Sequence, residues 1–317
     1  MKAFLQYLAK MTLVGGIALG IAAAAAHAED KVVRIGFQKY GTLILLKTKG
    51  LLEEKLKPQG YTVEWTEFPA GPQLLEALNV GSIDFGTTGE APPIFAQAAG
   101  APLVYVGYEP PAPEAEAILV PKDSPLKTVA DLKGKKVALN KGSNVHYLLV
   151  KALEKAGLAY TDIDVNFLPP ADARAAFEQG AVDAWVIWEP FLAAAEAATG
   201  ARQLANGSGV VDNHEFYLSS RDFLDAHPDA VDTILASLGE VDTWINASRA
   251  DVAKQFSPAL GIPEEVLQVA VQRRSYGVQP ITPEVAAAQQ KIADVFFKLG
   301  LIPHEISIAD AVRKPQS

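Results

Sequence analysis

The sequence predicts an α/β protein of two lobes, each a mostly parallel sheet flanked by helices, and three observations predict it. The first is a weak internal duplication: Gly81-Ser82-Ile83-Asp84-Phe85-Gly86-Thr87-Thr88-Gly89-Glu90 can be laid over Gly180-Ala181-Val182-Asp183-Ala184-Trp185-Val186-Ile187-Trp188-Glu189, with Gly, Asp and Glu at matching offsets. The second is the pattern around each copy: strand, polar glycine-bearing turn, helix, strand, helix, strand. That order implies parallel strands joined by helical crossovers. The third is the period, roughly a hundred residues, which means two lobes and not a solenoid.

The elements follow in order. Lys2 and Lys10 flank a basic start, residues 11–26 carry no charge, and Ala26-His27-Ala28 reads as a cleavage site, so residues 1–28 are expected to be a secretory signal peptide. A transmembrane anchor is the competing reading, but the stretch is short for a span and acidic Glu29-Asp30 follow at once. The processed chain is expected to begin near Glu29 and to be soluble outside the cytoplasmic membrane. Val32 to Phe37 predicts a strand, followed by the turn Gln38-Lys39-Tyr40-Gly41-Thr42 and an apolar helix. Pro72 to Asn79 has a helical pattern with Gly81 soon after it, a short apolar strand follows, and Pro93 opens a helix that ends at Gly100. The second copy repeats this: Lys136 to Leu139 as strand, Asn140-Lys141-Gly142-Ser143-Asn144 as turn, Asp172 to Gln179 as helix, then a strand into Trp188 and a helix from Pro190 to Gly200.

Crossovers between the lobes are expected near residues 117–122, where prolines bracket Val120 to Pro125, and near residues 213–218. Beyond Tyr217 the pattern turns helical. Val231, Ile234, Leu235, Leu238, Val241, Trp244 and Ile245 keep a spacing of three and four, and Pro263 to Arg273 and Pro283 to Leu299 each carry proline near a helix start. These helices are expected to pack on lobe one. Lobe one is then residues 29–119 and 216–317, lobe two is residues 120–215, and the chain crosses a hinge twice.

Composition narrows the function. The 317 residues are 49% hydrophobic and 21% charged, which excludes a disordered or coiled-coil chain. Net charge is −9, and −11 once Lys2 and Lys10 are removed, with no basic cluster; nucleic acid and anionic membranes are poor partners. The absence of cysteine excludes disulfides, thiolate metal sites and cysteine nucleophiles. Both methionines, Met1 and Met11, lie in the expected signal peptide, so the processed chain contains no sulfur.

Ligands of open α/β sheets sit where strand ends feed helix N-termini. Here the loops come in pairs, Gln38 to Thr42 with Thr87 to Glu90, and Asn140 to Asn144 with Trp188-Glu189. Gly41, Gly89 and Gly142 let backbone N–H groups approach a bound group, Thr42, Ser143 and Asn144 add neutral donors, and helix N-termini favour an anion. Ordinary caps and turns use the same residues, so one loop alone says little. The loops contain Lys39 and Lys141 but no arginine. Neutral donors suit a weakly basic anion such as a sulfonate or sulfate, whereas a carboxylate more often recruits a bidentate arginine; phosphate stays open, since its sites are also built from backbone N–H groups. Trp188 could cover an apolar tail or simply sit in the core; Tyr40, Tyr108 and Tyr217 are weaker candidates of the same kind. His146 could donate to the anion or face solvent, and Glu90 and Glu189 could complement helix dipoles or lie on a rim.

The stretches Ile35 to Leu43, Phe68 to Leu78, Val80 to Gly86 and Pro170 to Phe177 closely resemble those of periplasmic aliphatic sulfonate-binding proteins of ABC importers. Gly-Ser-Ile-Asp-Phe and Trp-Glu-Pro-Phe also resemble motifs of taurine, nitrate and thiamine-precursor binders. The resemblance implies a type II periplasmic-binding-protein fold, an alkanesulfonate ligand, no cofactor, and delivery to a membrane permease driven by a cytoplasmic ATPase, with monomer as the default state. It maps the ligand loops onto Gln38, Tyr40, Gly41 and Thr42; Thr88, Gly89 and Glu90; Gly142, Ser143, Asn144 and His146; and Trp188. The chain departs from the family at Asn144 and Val145, where Ser or His is common, which bears on the ligand's size. The missing sulfur then reads as economy during sulfur starvation. Catalysis is the rival reading, but the processed chain has no G-x-S-x-G, H-E-x-x-H, P-loop or G-x-G-x-x-G, and its histidines show no metal spacing. Two further readings stay open: a binder that presents its ligand to a sensor, and the same fold holding taurine, nitrate or a thiamine precursor.

Overall fold

The computed structural model describes residues 31–314, so the expected signal peptide lies outside the described residues. The first sheet and its helices run β1 (Lys31–Phe37), α1 (Gly41–Lys49), α2 (Leu51–Leu56), β2 (Tyr61–Glu67), α3 (Gly71–Asn79), β3 (Phe85–Gly89), α4 (Pro92–Ala98) and β4 (Leu103–Tyr108). The second set is β5 (Glu116–Val120), β6 (Lys136–Leu139), α5 (Asn144–Lys155), β7 (Asp164–Phe167), α6 (Pro170–Glu178), β8 (Ala184–Trp188), α7 (Phe191–Thr199) and β9 (Arg202–Asn206). The chain then continues through β10 (Glu215–Ser220), α8 (Arg221–Ala226), α9 (Pro228–Ala247), α10 (Arg249–Leu260), α11 (Glu264–Arg273) and α12 (Pro283–Lys298).

The ten strands form two five-stranded sheets of the same topology, β2-β1-β3-β10-β4 and β7-β6-β8-β5-β9. In each, the two pairings around the first strand are parallel, and one strand runs antiparallel between its neighbours: β10 in the first sheet, β5 in the second. Those two strands are where the chain arrives from the other sheet. The expected boundary at 119/120 falls inside β5, all of whose pairing is with β8 and β9, so the chain has left the first sheet before Glu116. Likewise Glu215 pairs with Gly89 in the first sheet, one residue ahead of the expected return at 216.

The duplication has a structural cause. Asp84 Oδ2 accepts the Arg34 backbone N–H at 2.9 Å, and Asp183 Oδ2 accepts the Lys136 N–H at 2.8 Å. In both copies the aspartate fastens the incoming strand to the edge of the neighbouring parallel strand, where the ladder has a spare donor. Gly81 and Gly180 stop the preceding helices at φ +72° and +71°, a conformation that favours glycine.

The C-terminal helices pack on the first sheet. Ile234, Leu238, Val241 and Ile245 of α9 are buried with Leu43 and Leu46 of α1 in one cluster, and Ile292, Ala293 and Phe296 of α12 join Leu103, Tyr105 and Phe216 in another. The second sheet has its own core around Trp185, Leu148, Leu149 and Leu192. Each fully buried Leu or Ile contributes about 1.5–3 kcal/mol of hydrophobic stabilisation, so these clusters, and not the turns between them, fix each half as a rigid unit. Among the described residues no helix is long and apolar enough to cross a membrane.

Candidate ligand-binding site

A cavity lies where the two sheets face each other. Its walls come from the first half (Gln38, Tyr40, Gly71, Gly89, Pro92, Glu215), the second half (Ser143, Asn144, Trp188), the returning crossover (Asn213, His214) and Arg274, just past α11. The open space between these walls is only about 20 Å³, room for roughly one water molecule, so the two halves lie closed on each other here. Helices α3, α4 and α5 begin at its wall with Gly71, Pro92 and Asn144. Nine- and twelve-residue helices such as α3 and α5 present partial positive charge and unpaired N–H groups there.

The walls meet closely. A Cβ on Gly89 would lie 2.8 Å from the Cβ of Asn144, so any larger residue would hold the two halves apart at this point. Asn144 Nδ2 donates to Glu116 Oε2 and, at 3.2 Å, to Asn213 Oδ1; Asn213 Nδ2 in turn donates to Ala112 O at 2.8 Å. Asn144 thus ties the start of α5 to β5 and to the returning crossover, which Asn213 fastens in turn to the outgoing one.

Arg274 is the cation at the cavity. It pairs with Glu215 Oε2, its guanidinium carbon lies 4.7 Å from the Tyr40 ring centroid, and it is 9% exposed. Its Nε is buried without a partner among the described residues. Burial opposes its charge, but Glu215 and the neighbouring acidic groups outweigh that and hold its pKa above the usual arginine value. Glu215 is anchored by Thr87 Oγ1, which donates to Oε1 at 2.7 Å, while burial pushes its own carboxyl up. The surrounding carboxyls are protonation-prone for the same reason: burial raises Glu109 and Glu116 well above the ordinary range and takes Glu90 to about 8. The site therefore contains one stacked, ion-paired guanidinium with a spare donor and several helix N-termini, and behind its wall lie further acids that burial favours in the neutral form.

Of the residues singled out in the sequence, Gln38, Tyr40, Gly89, Ser143, Asn144 and Trp188 border this cavity. Gly41, Thr42, Thr88, Glu90, Gly142 and His146 do not. Thr42 Oγ1 donates to Asp242 Oδ1 at 2.5 Å behind the site, and Gly41 packs so close under Glu215 that a Cβ would fall 2.6 Å from Oε1. Thr88 Oγ1 donates to Gly89 O at 2.9 Å. Gly142 faces Phe95, and Glu90 Oε2 accepts the His214 N–H at 3.1 Å. His146 is corrected most plainly: it is fully buried, packed between Phe95, Phe167 and Phe296, with Nε2 2.8 Å from the Tyr160 hydroxyl and Nδ1 accepting the Gly142 N–H at 3.3 Å. Burial, aided by Lys141, lowers its pKa to about 4, so it is a neutral core imidazole. The weaker candidates Tyr108 and Tyr217 are also elsewhere, bonded to Gln279 and Glu109.

The loops read from the sequence contain no arginine, but the cavity has one at its wall. Arg274 reaches the cavity from a C-terminal segment, and among the described residues no loop of either sheet carries a comparable cation there. Gly71, Pro92, Asn213, His214 and Glu215 were missed too. The Arg273-Arg274 pair at a helix end was the one signal for a cation, but it reads equally as helix C-terminal charge.

The chain belongs to the NMT1-like family, whose pattern matches residues 26–259. Among solved structures it is similar to the alkanesulfonate-binding protein SsuA of Xanthomonas axonopodis pv. citri bound to MOPS: 45% identity, covering 91% of this chain and 100% of that one, with a TM-score of 0.85. The periplasmic aliphatic sulphonate binding protein SsuA of Escherichia coli is 46% identical over 90% of this chain and 93% of that one, with a TM-score of 0.82. The taurine-binding periplasmic protein of Escherichia coli is 25% identical, over 74% of this chain and 73% of that protein.

Proposed function

We propose that this chain is the solute-binding component of an ABC importer, holding an aliphatic sulfonate between its two halves and presenting it to a membrane permease coupled to a cytoplasmic ATPase. The observation that carries the reading is the cavity itself: a small space bounded by both sheets, with the buried Nε of Arg274, unpartnered among the described residues, at its wall and helix N-termini beginning there. A sulfonate is never protonated near neutral pH and only accepts hydrogen bonds, which suits an arginine with a spare donor beside backbone N–H groups. Its hydrocarbon end requires apolar cover, and Trp188 borders the same space. The similarity to two alkanesulfonate-binding proteins supports the ligand class.

On this reading the ligand set is Gln38, Tyr40, Gly89, Ser143, Asn144 and Trp188, joined by Arg274. The lobes are the two sheets with their helices, hinged through residues 109–115 and 207–214, and the C-terminal helices move with lobe one. The protein acts as a monomeric, non-catalytic periplasmic receptor released from residues 1–28, and its sulfur-free composition economises on the nutrient it gathers. Calorimetry with methanesulfonate, butanesulfonate, taurine, sulfate and nitrate tests the reading. Tight binding of an alkanesulfonate, with a melting temperature that rises with its concentration, is expected; saturation by nitrate or sulfate with no response to any sulfonate would refute it.

A further inference from the structure

Two arginines at the end of α11 face in opposite directions. The helix closes at Arg273, and Arg274 is extended, with φ −99° and ψ 152°. Successive side chains on such a backbone point to opposite sides. Arg274 turns toward the cavity and Glu215. Arg273 turns toward the second half, where Nη1 donates to Glu189 Oε1 at 2.7 Å and to Glu196 Oε2 at 2.7 Å.

The helix that carries them belongs, by packing, to the first half. Leu267 and Val271 are buried in the same cluster as Ile44 and Leu45 of α1. Glu189 and Glu196 belong to the second half, at the end of β8 and on α7. Glu189 is fully buried and its other oxygen accepts the Ala193 N–H at 3.0 Å, so it is fixed to the first turn of α7. The Arg273 bridge is therefore a contact across the cleft, one residue along the chain from the cation at the ligand cavity.

We propose that Arg273 is a positioning residue that latches the two halves shut, and that a ligand gripped by Arg274 steadies the latch through the shared backbone. This rests on reading the cavity as the ligand site. A contact made only when the halves are together favours the closed state, and by linkage it strengthens whatever ligand also favours that state. Opening would break both bonds of Arg273 at once and expose Glu189 to water. The latch thus acts on escape of the ligand and leaves its entry into the open cleft unaffected. A side chain that merely stabilised α11 would have no such kinetic signature.

Stopped-flow binding of butanesulfonate and small-angle scattering without ligand test this on the full processed chain. Arg273→Ala is expected to speed dissociation about tenfold or more while association stays within about twofold, as for removal of one member of a bonded charge pair. Glu196→Gln, a change at a partly exposed position that leaves Glu189 in place, is expected to give a smaller rise in the same rate, and Arg273→Lys a partial rescue. Without ligand, Arg273→Ala is expected to have a larger radius of gyration than the parent chain. Unchanged dissociation in Arg273→Ala and Glu196→Gln, or an effect confined to association, overturns the latch. If the parent chain binds no sulfonate, the ligand reading fails while the scattering comparison still decides the latch: a larger radius supports it and an equal radius overturns it.

Discussion

Glu90 and Glu189 hold the same place in the two copies, closing a strand, preceding a proline-opened helix and fully buried, yet their surroundings diverge. Glu189 meets Arg273 and the N–H of Ala193, and burial raises its pKa against the pull of that cation. No cation pairs with Glu90 among the described residues. Its Oε2 accepts the His214 N–H, its Oε1 has no partner among those residues, and burial lifts its pKa to about 8. The difference lies in a third element: α11 delivers cations to the Glu189 side and to Glu215, and none to Glu90. Local sequence sets where a carboxyl is buried, while the distant chain decides whether it meets a charge.

The sharpest way to break this contrast is to remove the cation at the cavity. Arg274→Ala is expected to weaken alkanesulfonate binding about 100-fold or more by calorimetry, because it deletes the spare donor and leaves Glu215 buried without its counter-ion. A loss below threefold would mean that neutral donors and helix N-termini suffice. Next, Glu189→Ala is expected to lower stability by about 2 kcal/mol in urea melts, since it strands part of Arg273's bonding and leaves a cavity, whereas Glu90→Gln keeps its acceptor for His214 and is expected to cost little near neutral pH. Equal losses in the two variants would erase the distinction.

Trp188→Ala is expected to weaken butanesulfonate about tenfold and methanesulfonate much less, because only the longer tail reaches the indole. An equal loss for both would remove the tryptophan from the tail's environment.

The smallest effect is on pH. Glu90 has a raised pKa in the folded state, so its contribution is complete below about 4.5 and is lost as pH rises toward about 8. His146 has a lowered one, about 4, so its contribution is present above about 6.5 and is lost as pH falls toward 4. Glu90→Gln is expected to raise the melting temperature at pH 9 by a few degrees relative to the parent while changing it little at pH 4. His146→Gln is expected to flatten the fall in stability between pH 6.5 and 4. Parallel melting curves across this range would show that neither burial is sensed.

Much of the fold could be read in the sequence because its signals are local. Asp84 and Asp183 fasten strands in both copies, Gly81 and Gly180 stop helices, and Pro283 opens α12 where a proline was expected. The observed β6 coincides with the strand read from Lys136 to Leu139. The site was only half visible for the complementary reason. Gln38, Tyr40, Gly89, Ser143, Asn144 and Trp188 sit at strand ends and helix starts, where pattern points to them. Glu215, His214 and Arg274 come from a returning crossover and a helix end, and nothing near them in sequence shows what they face. His146 misled because the first turn of α5 points its side chain back into the aromatic cluster of Phe95 and Phe296, not into the cleft.

The measurement that bears most directly on the ligand site is a crystal structure of the processed chain grown with butanesulfonate. The sulfonate oxygens are expected within hydrogen-bonding distance of Arg274 Nε and of N–H groups from both halves, with the alkyl chain against Trp188. A sulfonate bound outside the space between the two sheets, or inside it with no bond to Arg274, would contradict that placement.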